Sequence, residues 1–222
     1  MELKASESAR RDPPVYAACT ALELERHKGV LVIGLNRPSK RNAIGVEMTL
    51  EIERTLTTAM SDCDLKAIVI HGIGGHFSAG MDMKAFFDLS DRSEQELRRA
   101  RAATDNWRAR LLRRIPCPII ASVSGYCLGG AVPLVECSNV VLASTDAVFG
   151  LPEINFSFVP GGPIAKSIRR AVPIKAASYL SLTGRPIDAS QALQWGLVSQ
   201  IVEGNPLAQA RALAARIAES EI

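Results

Sequence analysis

The chain has 222 residues, 47% of them apolar and 22% charged, with a formal net charge of +3. That length and balance suit one globular domain with a sizeable core, and a small, evenly spread charge gives no reason to expect nucleic acid as a partner. Cys19, Cys63, Cys117, Cys127 and Cys137 show neither metal spacing nor a disulfide framework, so reduced thiols in a cytoplasmic protein are expected; no apolar run reaches membrane-spanning length.

Residues 1–18 read as a disordered or extended tail, polar at its start and without the apolar stretch of a signal peptide. Leu22 to Arg26 alternates as a half-buried strand does, Gly29 breaks it, and Val30 to Leu35 pairs back as a hairpin. Met48, Ile52 and Leu56 recur at helical spacing within Val46 to Met60. Ala67 to Ile70 is a short apolar run suited to a strand covered on both faces. Ser93 to Arg114 reads as one charged helix, stopped by Pro116 and Pro118. Its arginines (Arg98, Arg99, Arg101, Arg108, Arg110, Arg113, Arg114) read first as a solvated face, with phosphate or partner contact as the alternative. Ile119 to Val123 and Val140 to Ala143 are further buried strands. Helices follow over Pro163 to Ala171 and Ile174 to Thr183, with Gly184 as a stop. Asp188 caps a short helix through Trp195, Leu197 to Val202 returns to strand, and Pro206 to Ile222 is an amphipathic helix. Strands alternating with helices give an α/β class.

Two glycine turns carry the functional signal. Phe77-Ser78-Ala79-Gly80-Met81-Asp82 and Gly125-Tyr126-Cys127-Leu128-Gly129-Gly130 each follow a buried strand and lead into a helical pattern. Such junctions leave backbone N–H groups unpaired and direct the helix's partial positive charge outward. Two of them facing one carbonyl oxygen would stabilise charge developing on it; taken singly, each equally serves as a tight turn. Glu153, in the apolar stretch Phe149-Gly150-Leu151-Pro152-Glu153, reads either as a partly desolvated acid–base or as a surface acid at a helix start. His27, His71 and His76 have no metal spacing, and no phosphate loop or dinucleotide fingerprint is present.

Taken with Leu35-Asn36-Arg37-Pro38 and Lys40-Arg41-Asn42-Ala43, these turns resemble the crotonase superfamily of enoyl-CoA hydratases and isomerases, from about Ala21 to Glu203. Within it, Ala79 to Asp82 with Lys84, Glu153-Ile154-Asn155, Pro160-Gly161 and Ala165-Lys166 are most similar to the hydroxycinnamoyl-CoA (feruloyl-CoA) hydratase-lyases. The resemblance implies a spiral of repeated ββα units, with a core over residues 19–204 and the start of a helical C-terminal region over 205–222. It implies an acyl-CoA thioester as substrate, and neither a permanently bound cofactor nor a metal. It places the backbone N–H groups of Met81 and Gly130 at an oxyanion hole and makes Glu153 the acid–base. Coenzyme A contacts fall on Lys40, Ala79, Gly80, Met81, Asp82, Met83, Lys84, Gly130, Ala131 and Val132. Further helices after the chain's last residue would close the acyl pocket and support a trimer or hexamer.

Two positions depart from that pattern. Pro133 stands where the superfamily's hydratases place a second, water-positioning glutamate, and where the hydratase-lyases have serine; a proline side chain neither donates nor accepts. Glu136, one helical turn on, reads as a helix-surface residue rather than a substitute. Phe86 stands where hydratase-lyases have a tyrosine for the substrate phenol. Phe86, Pro133 and Phe156 are the candidate pocket lining. The reading is therefore a single-glutamate acyl-CoA enzyme, hydratase-lyase-like. An enoyl-CoA isomerase, or a catalytically silent acyl-CoA-binding protein, is the alternative.

Overall fold

The computed structural model describes residues 14–87, 92–157, 160 and 168–220. β1 (Leu22–His27) and β2 (Val30–Leu35) form the expected antiparallel hairpin. Onto β2 are added, all in parallel, β3 (Ala67–Gly72), β4 (Ile119–Val123), β6 (Val140–Ser144) and β9 (Gln200–Val202), giving a six-stranded sheet in the order β1-β2-β3-β4-β6-β9. A second sheet has the order β5-β7-β8, from β5 (Tyr126–Leu128), β7 (Val148–Gly150) and β8 (Ile187–Asp188).

The two sheets are wound from one thread. β4 runs straight on into β5, and β6 into β7, so each turn of the chain gives one strand to each sheet. The turn before them does the same in miniature: β3 is followed by Ser78, which makes a parallel bridge to Cys127 in β5. This is the crotonase-like spiral, an α/β fold.

Alternation along the strands divides the core. Leu31, Ile33, Leu35, Ile68, Ile70, Ile119, Ala121 and Val123 face the main core, together with Phe77, Trp107 and Phe149. Val30, Val32, Ala67, Val69 and Ile120 face the other way, where Ala210 and Ala214 of the last helix cover them. Those strands are buried on both faces, which is why they read as unbroken apolar runs.

Around the sheets lie α1 (Val46–Ala59), α2 (Met83–Phe87), α3 (Glu94–Asn106), α4 (Val132–Glu136), α5 (Ile174–Thr183), α6 (Ala189–Gln194) and α7 (Leu207–Glu219). Ser93 and Glu96 form a reciprocal capping box at the start of α3. Gly184 ends α5 in the left-handed conformation, and Asp188 caps α6 through Gln191 N–H, both as the sequence indicates. Of the expected helix over Pro163 to Ala171, residues 168–171 are helical and 163–167 lie outside the described residues. Gly161, Ala165 and Lys166, used in the resemblance, also lie outside them, as does 1–13 of the tail.

Three expectations are corrected. The single helix over Ser93 to Arg114 is α3 followed by a π-helical turn over Trp107–Leu111, closed by Leu112 N–H to Trp107 O. Arg108, on that turn, is 7% exposed and not part of a solvated face. Glu136 is not a surface residue: its side chain is fully enclosed, paired with Arg113 and accepting from Cys137 Sγ.

Candidate active site

The glycine turns are built side by side. Ser78 N–H donates to Tyr126 O at 2.7 Å, and Leu128 N–H donates to Ser78 O at 3.1 Å. Gly80 has φ +93°, and a Cβ there would lie 2.6 Å from Leu128 O, so the close approach requires glycine. Ile44 N–H donates to Gly80 O, and Asp82 N–H donates to Ile44 O. That parallel bridge turns the intervening Met81 N–H away from Ile44. On the second turn, Gly129–Ala131 form a 3-10 turn leading into α4. Gly130 N–H is in its first turn, where no intrahelical acceptor exists. Among the described residues, neither Met81 N–H nor Gly130 N–H donates to a carbonyl in the turns and loops.

Glu153 sits on a 3-10 turn over Pro152–Phe156, directly after β7, with Pro152 at its start. Parallel pairing of β7 with β5 brings it to the second glycine turn. Gly129 has φ +48°, and a Cβ on it would lie 2.8 Å from Glu153 Oε1. The carboxylate thus occupies the space that a side chain at 129 would fill. Glu153 Oε2 is buried without a hydrogen-bond partner among the described residues. Burial raises the carboxyl's pKa above its ordinary value, opposed by its own backbone N–H and by the positive charge of Arg108. A half-buried acid with a raised pKa, set against this glycine turn, can exchange a proton with a group held there.

Arg108 is the residue sequence reasoning missed. Its Nη2 donates to Gly130 O at 2.8 Å, while its buried Nε has no partner among the described residues. Burial brings its pKa down to about 10, against the fields of Asp105 and Glu153. One turn of helical spacing cannot show a π turn, so the sequence held no signal for it. Asn42, in the Lys40-Arg41-Asn42-Ala43 stretch, is fully buried with φ +54°. Its Oδ1 accepts from Arg37 N–H, and its Nδ2 donates to Ile73 O and His76 O. His76 stacks on Tyr126 with ring centroids 4.8 Å apart, and its Nδ1 accepts Tyr126 N–H.

The remaining predicted residues fall as follows. Ala79, Gly80, Met81 and Asp82 form the first turn. Asp82 pairs with Arg37 at 3.1 Å and accepts from Ala85 N–H at the start of α2, which carries Met83 and Lys84 at the surface. Lys40 is exposed, at the end of a 3-10 turn over Pro38–Lys40. Gly130, Ala131, Val132 and Pro133 are buried at the start of α4. Phe86 is buried against Val46, Leu97 and Ala100, with Met81 packed on the same cluster. Phe156 is 65% exposed and does not join Phe86. Among the described residues, no group of three or more His, Cys, Asp or Glu side chains is placed to hold a metal, and no helix is long and apolar enough to cross a membrane.

Residues 25–222 match the enoyl-CoA hydratase/isomerase family. The chain belongs to that family. Among its enoyl-CoA hydratase/isomerase relatives is the hydroxycinnamoyl-CoA hydratase-lyase of Pseudomonas fluorescens, 33% identical over 201 residues, covering 90% of this chain and 71% of the relative. The mevalonyl-coenzyme A hydratase of Aspergillus fumigatus is 37% identical over 186 residues, covering 80% and 64%. A crystal structure of an enoyl-CoA hydratase/carnitine racemase from Magnetospirillum magneticum superposes with a TM-score of 0.83 at 28% identity, over 92% of this chain and 77% of that one. These members of the family fix the fold and the acyl-CoA class of chemistry. The chain spans 64% of one of these curated relatives and 71% of the other.

Proposed function

We propose that the protein forms an enolate from a coenzyme A thioester, with the thioester oxygen held by Met81 N–H and Gly130 N–H and with Glu153 as the single acid–base. The observation that carries this reading is the placement of Glu153 against Gly129, one residue from the Gly130 donor. Charge on the thioester oxygen and the proton at the neighbouring carbon are then handled from one end of α4. Donors fixed before the reaction need not reorganise as charge develops.

The reaction proposed is hydroxycinnamoyl-CoA hydratase-lyase-like. Water adds across the double bond of an aryl-propenoyl thioester, and the β-hydroxy thioester then cleaves between its α and β carbons. An aromatic aldehyde and acetyl-CoA leave. Pro133 supports a single-carboxylate mechanism over two-glutamate hydration, because its buried ring offers no acceptor for a water molecule. The same feature favours a second reading, an enoyl-CoA isomerase in which Glu153 moves one proton between the carbons flanking the enolate. Phe86 also bears on the choice: it lacks a hydroxyl, so a phenol-selective pocket would need another donor. In the family's manner, self-association as a trimer or hexamer would complete the pocket.

Incubation with feruloyl-CoA, coumaroyl-CoA, a 3-enoyl-CoA and crotonyl-CoA, with products identified by mass, tests the reading. Aldehyde plus acetyl-CoA supports the hydratase-lyase; a shifted double bond at unchanged mass supports the isomerase. Binding of all four without any product supports the silent alternative and overturns both.

A further inference from the structure

We infer that Arg108 is a positioning residue for the Gly130 turn: it replaces the backbone donor that Pro133 lacks and holds a fixed positive charge beside Glu153. The inference rests on the enolate reading above and adds a residue that reading does not need.

Three observations carry it. First, Val132 N–H donates to Gly129 O in an i to i−3 step. The next step in that pattern would run from residue 133 to Gly130 O, and proline has no N–H to make it. Arg108 Nη2 makes that bond instead, at 2.8 Å. A Cβ at residue 130 would overlap Arg108 Nη2 and come within 2.5 Å of Met81 Cγ, so the guanidinium fits because residue 130 is glycine.

Second, the arginine is brought inward by a π-helical turn, a local rearrangement found disproportionately at functional sites. The turn is anchored. Trp107 is fully buried, its Nε1 donates to Thr49 Oγ1 at 2.8 Å, and the guanidinium lies 5.0 Å from its ring. Third, among the described residues the charge is not consumed by a partner. Asp105 and Glu153 are the acids whose fields reach it, and among the described residues no carboxylate bonds it and its Nε has no partner. A buried charge left this way costs stability, and it is retained here beside the groups that would handle a developing negative charge.

Two separable effects follow. The hydrogen bond fixes the Gly130 peptide, and with it the geometry of the second donor. The charge favours both the enolate and the ionised form of Glu153.

The test compares Arg108→Met, Arg108→Lys and the double variant Pro133→Ala/Arg108→Met. Melting temperature monitors the fold. Two readouts need no turnover. The infrared carbonyl band of protonated Glu153, assigned by its loss in Glu153→Gln, is titrated with pH. Acetoacetyl-CoA, whose enolate absorbs in the near ultraviolet, reports how much thioester is held as enolate.

Arg108→Met should raise the Glu153 titration and lower the bound enolate fraction on the order of tenfold. Arg108→Lys should titrate like the parent. In the double variant, position 133 regains a backbone N–H to donate to Gly130 O, so the enolate fraction should recover in part while the titration stays raised. The proposal is overturned if a folded Arg108→Met matches the parent in both readouts, or if the lysine variant titrates like the methionine one. If Arg108→Met does not fold, the double variant and the lysine variant carry the same comparison. If the parent holds no acetoacetyl-CoA enolate at all, the enolate reading fails, while the Glu153 titration still decides the role of the charge.

Discussion

Ser78 Oγ donates to Asn42 O at 2.7 Å and accepts Gly80 N–H at 3.2 Å, so one buried hydroxyl joins the Asn42 loop to the first glycine turn. Ser78→Ala leaves both backbone groups without that partner in an enclosed place. The expected cost is about 1–3 kcal/mol, read from urea denaturation, together with slower turnover because Met81 follows Gly80 directly. An alanine variant of parental stability would show that water replaces the hydroxyl.

Gly129→Ala should abolish turnover while leaving the fold largely formed. The new Cβ must displace the Glu153 carboxylate, and the left-handed backbone at 129 adds strain. Loss of activity greater than about a hundredfold is expected, since acid–base groups contribute ~10²–10⁴-fold. Assay on whichever thioester the substrate panel identifies decides it.

Glu153→Gln should lose turnover on that same scale yet gain stability near neutral pH. The carboxyl's pKa is raised in the folded chain, chiefly by burial. Its ionised form therefore destabilises the fold above the ordinary carboxylate pKa, and the penalty vanishes as pH falls below that value. The difference in melting temperature between variant and parent should be positive at pH 7 and shrink toward zero in acid. A constant difference across that range would place the effect elsewhere.

Crotonyl-CoA should be a poor hydration substrate, far below the ~10³ s⁻¹ of efficient enzymes. Pro133→Glu is expected to raise its hydration at least about tenfold, by supplying a second carboxylate in the first turn of α4. Following the loss of the conjugated thioester band measures both rates.

At the far edge of the molecule, Asp62 accepts from Arg26 Nε at 2.9 Å and from Tyr16 Oη at 3.0 Å, with its side chain fully enclosed. Burial opposes its ionisation, but those bonds prevail and hold its pKa below the ordinary value. Its contribution is present above the unfolded pKa and lost as pH falls through the folded one. Asp62→Asn should cost about 2 kcal/mol at pH 7, less than a fully buried pair because Arg26 is partly solvated. The gap should close under acid, by denaturant titration at both pH values.

How far the sequence reached depends on how far a signal spreads along the chain. The strands β2, β3, β4 and β6 are legible because double burial leaves a short, predominantly apolar run. The ends of α5 and α6 were legible because Gly184 and Asp188 are residue types with one strong local role. β5 and β7 have three residues each, too short for any period, and the second sheet therefore went unseen. From sequence Glu136 and Arg108 read as surface charges, because burial of a charge depends on partners distant in sequence: Arg113 for the first, the Gly130 carbonyl for the second. The candidate site residues came from motif order. That Glu153 would lie against Gly129 required the β5–β7 pairing, which no local pattern encodes.

The winding of the chain has a consequence for how such a protein is made. Strands β2, β3, β4, β6 and β9 enter the large sheet in the order of synthesis, each docking on the strand of that sheet laid down before it. Both glycine turns are therefore in place once residues through α4 have emerged, whereas Glu153 arrives with the next strand pair. A nascent chain would hold both glycine turns, with the proposed donors, before it carries Glu153, the proposed acid–base, and β9 would join the sheet last. The parts of the site are thus laid down before β9 completes the large sheet.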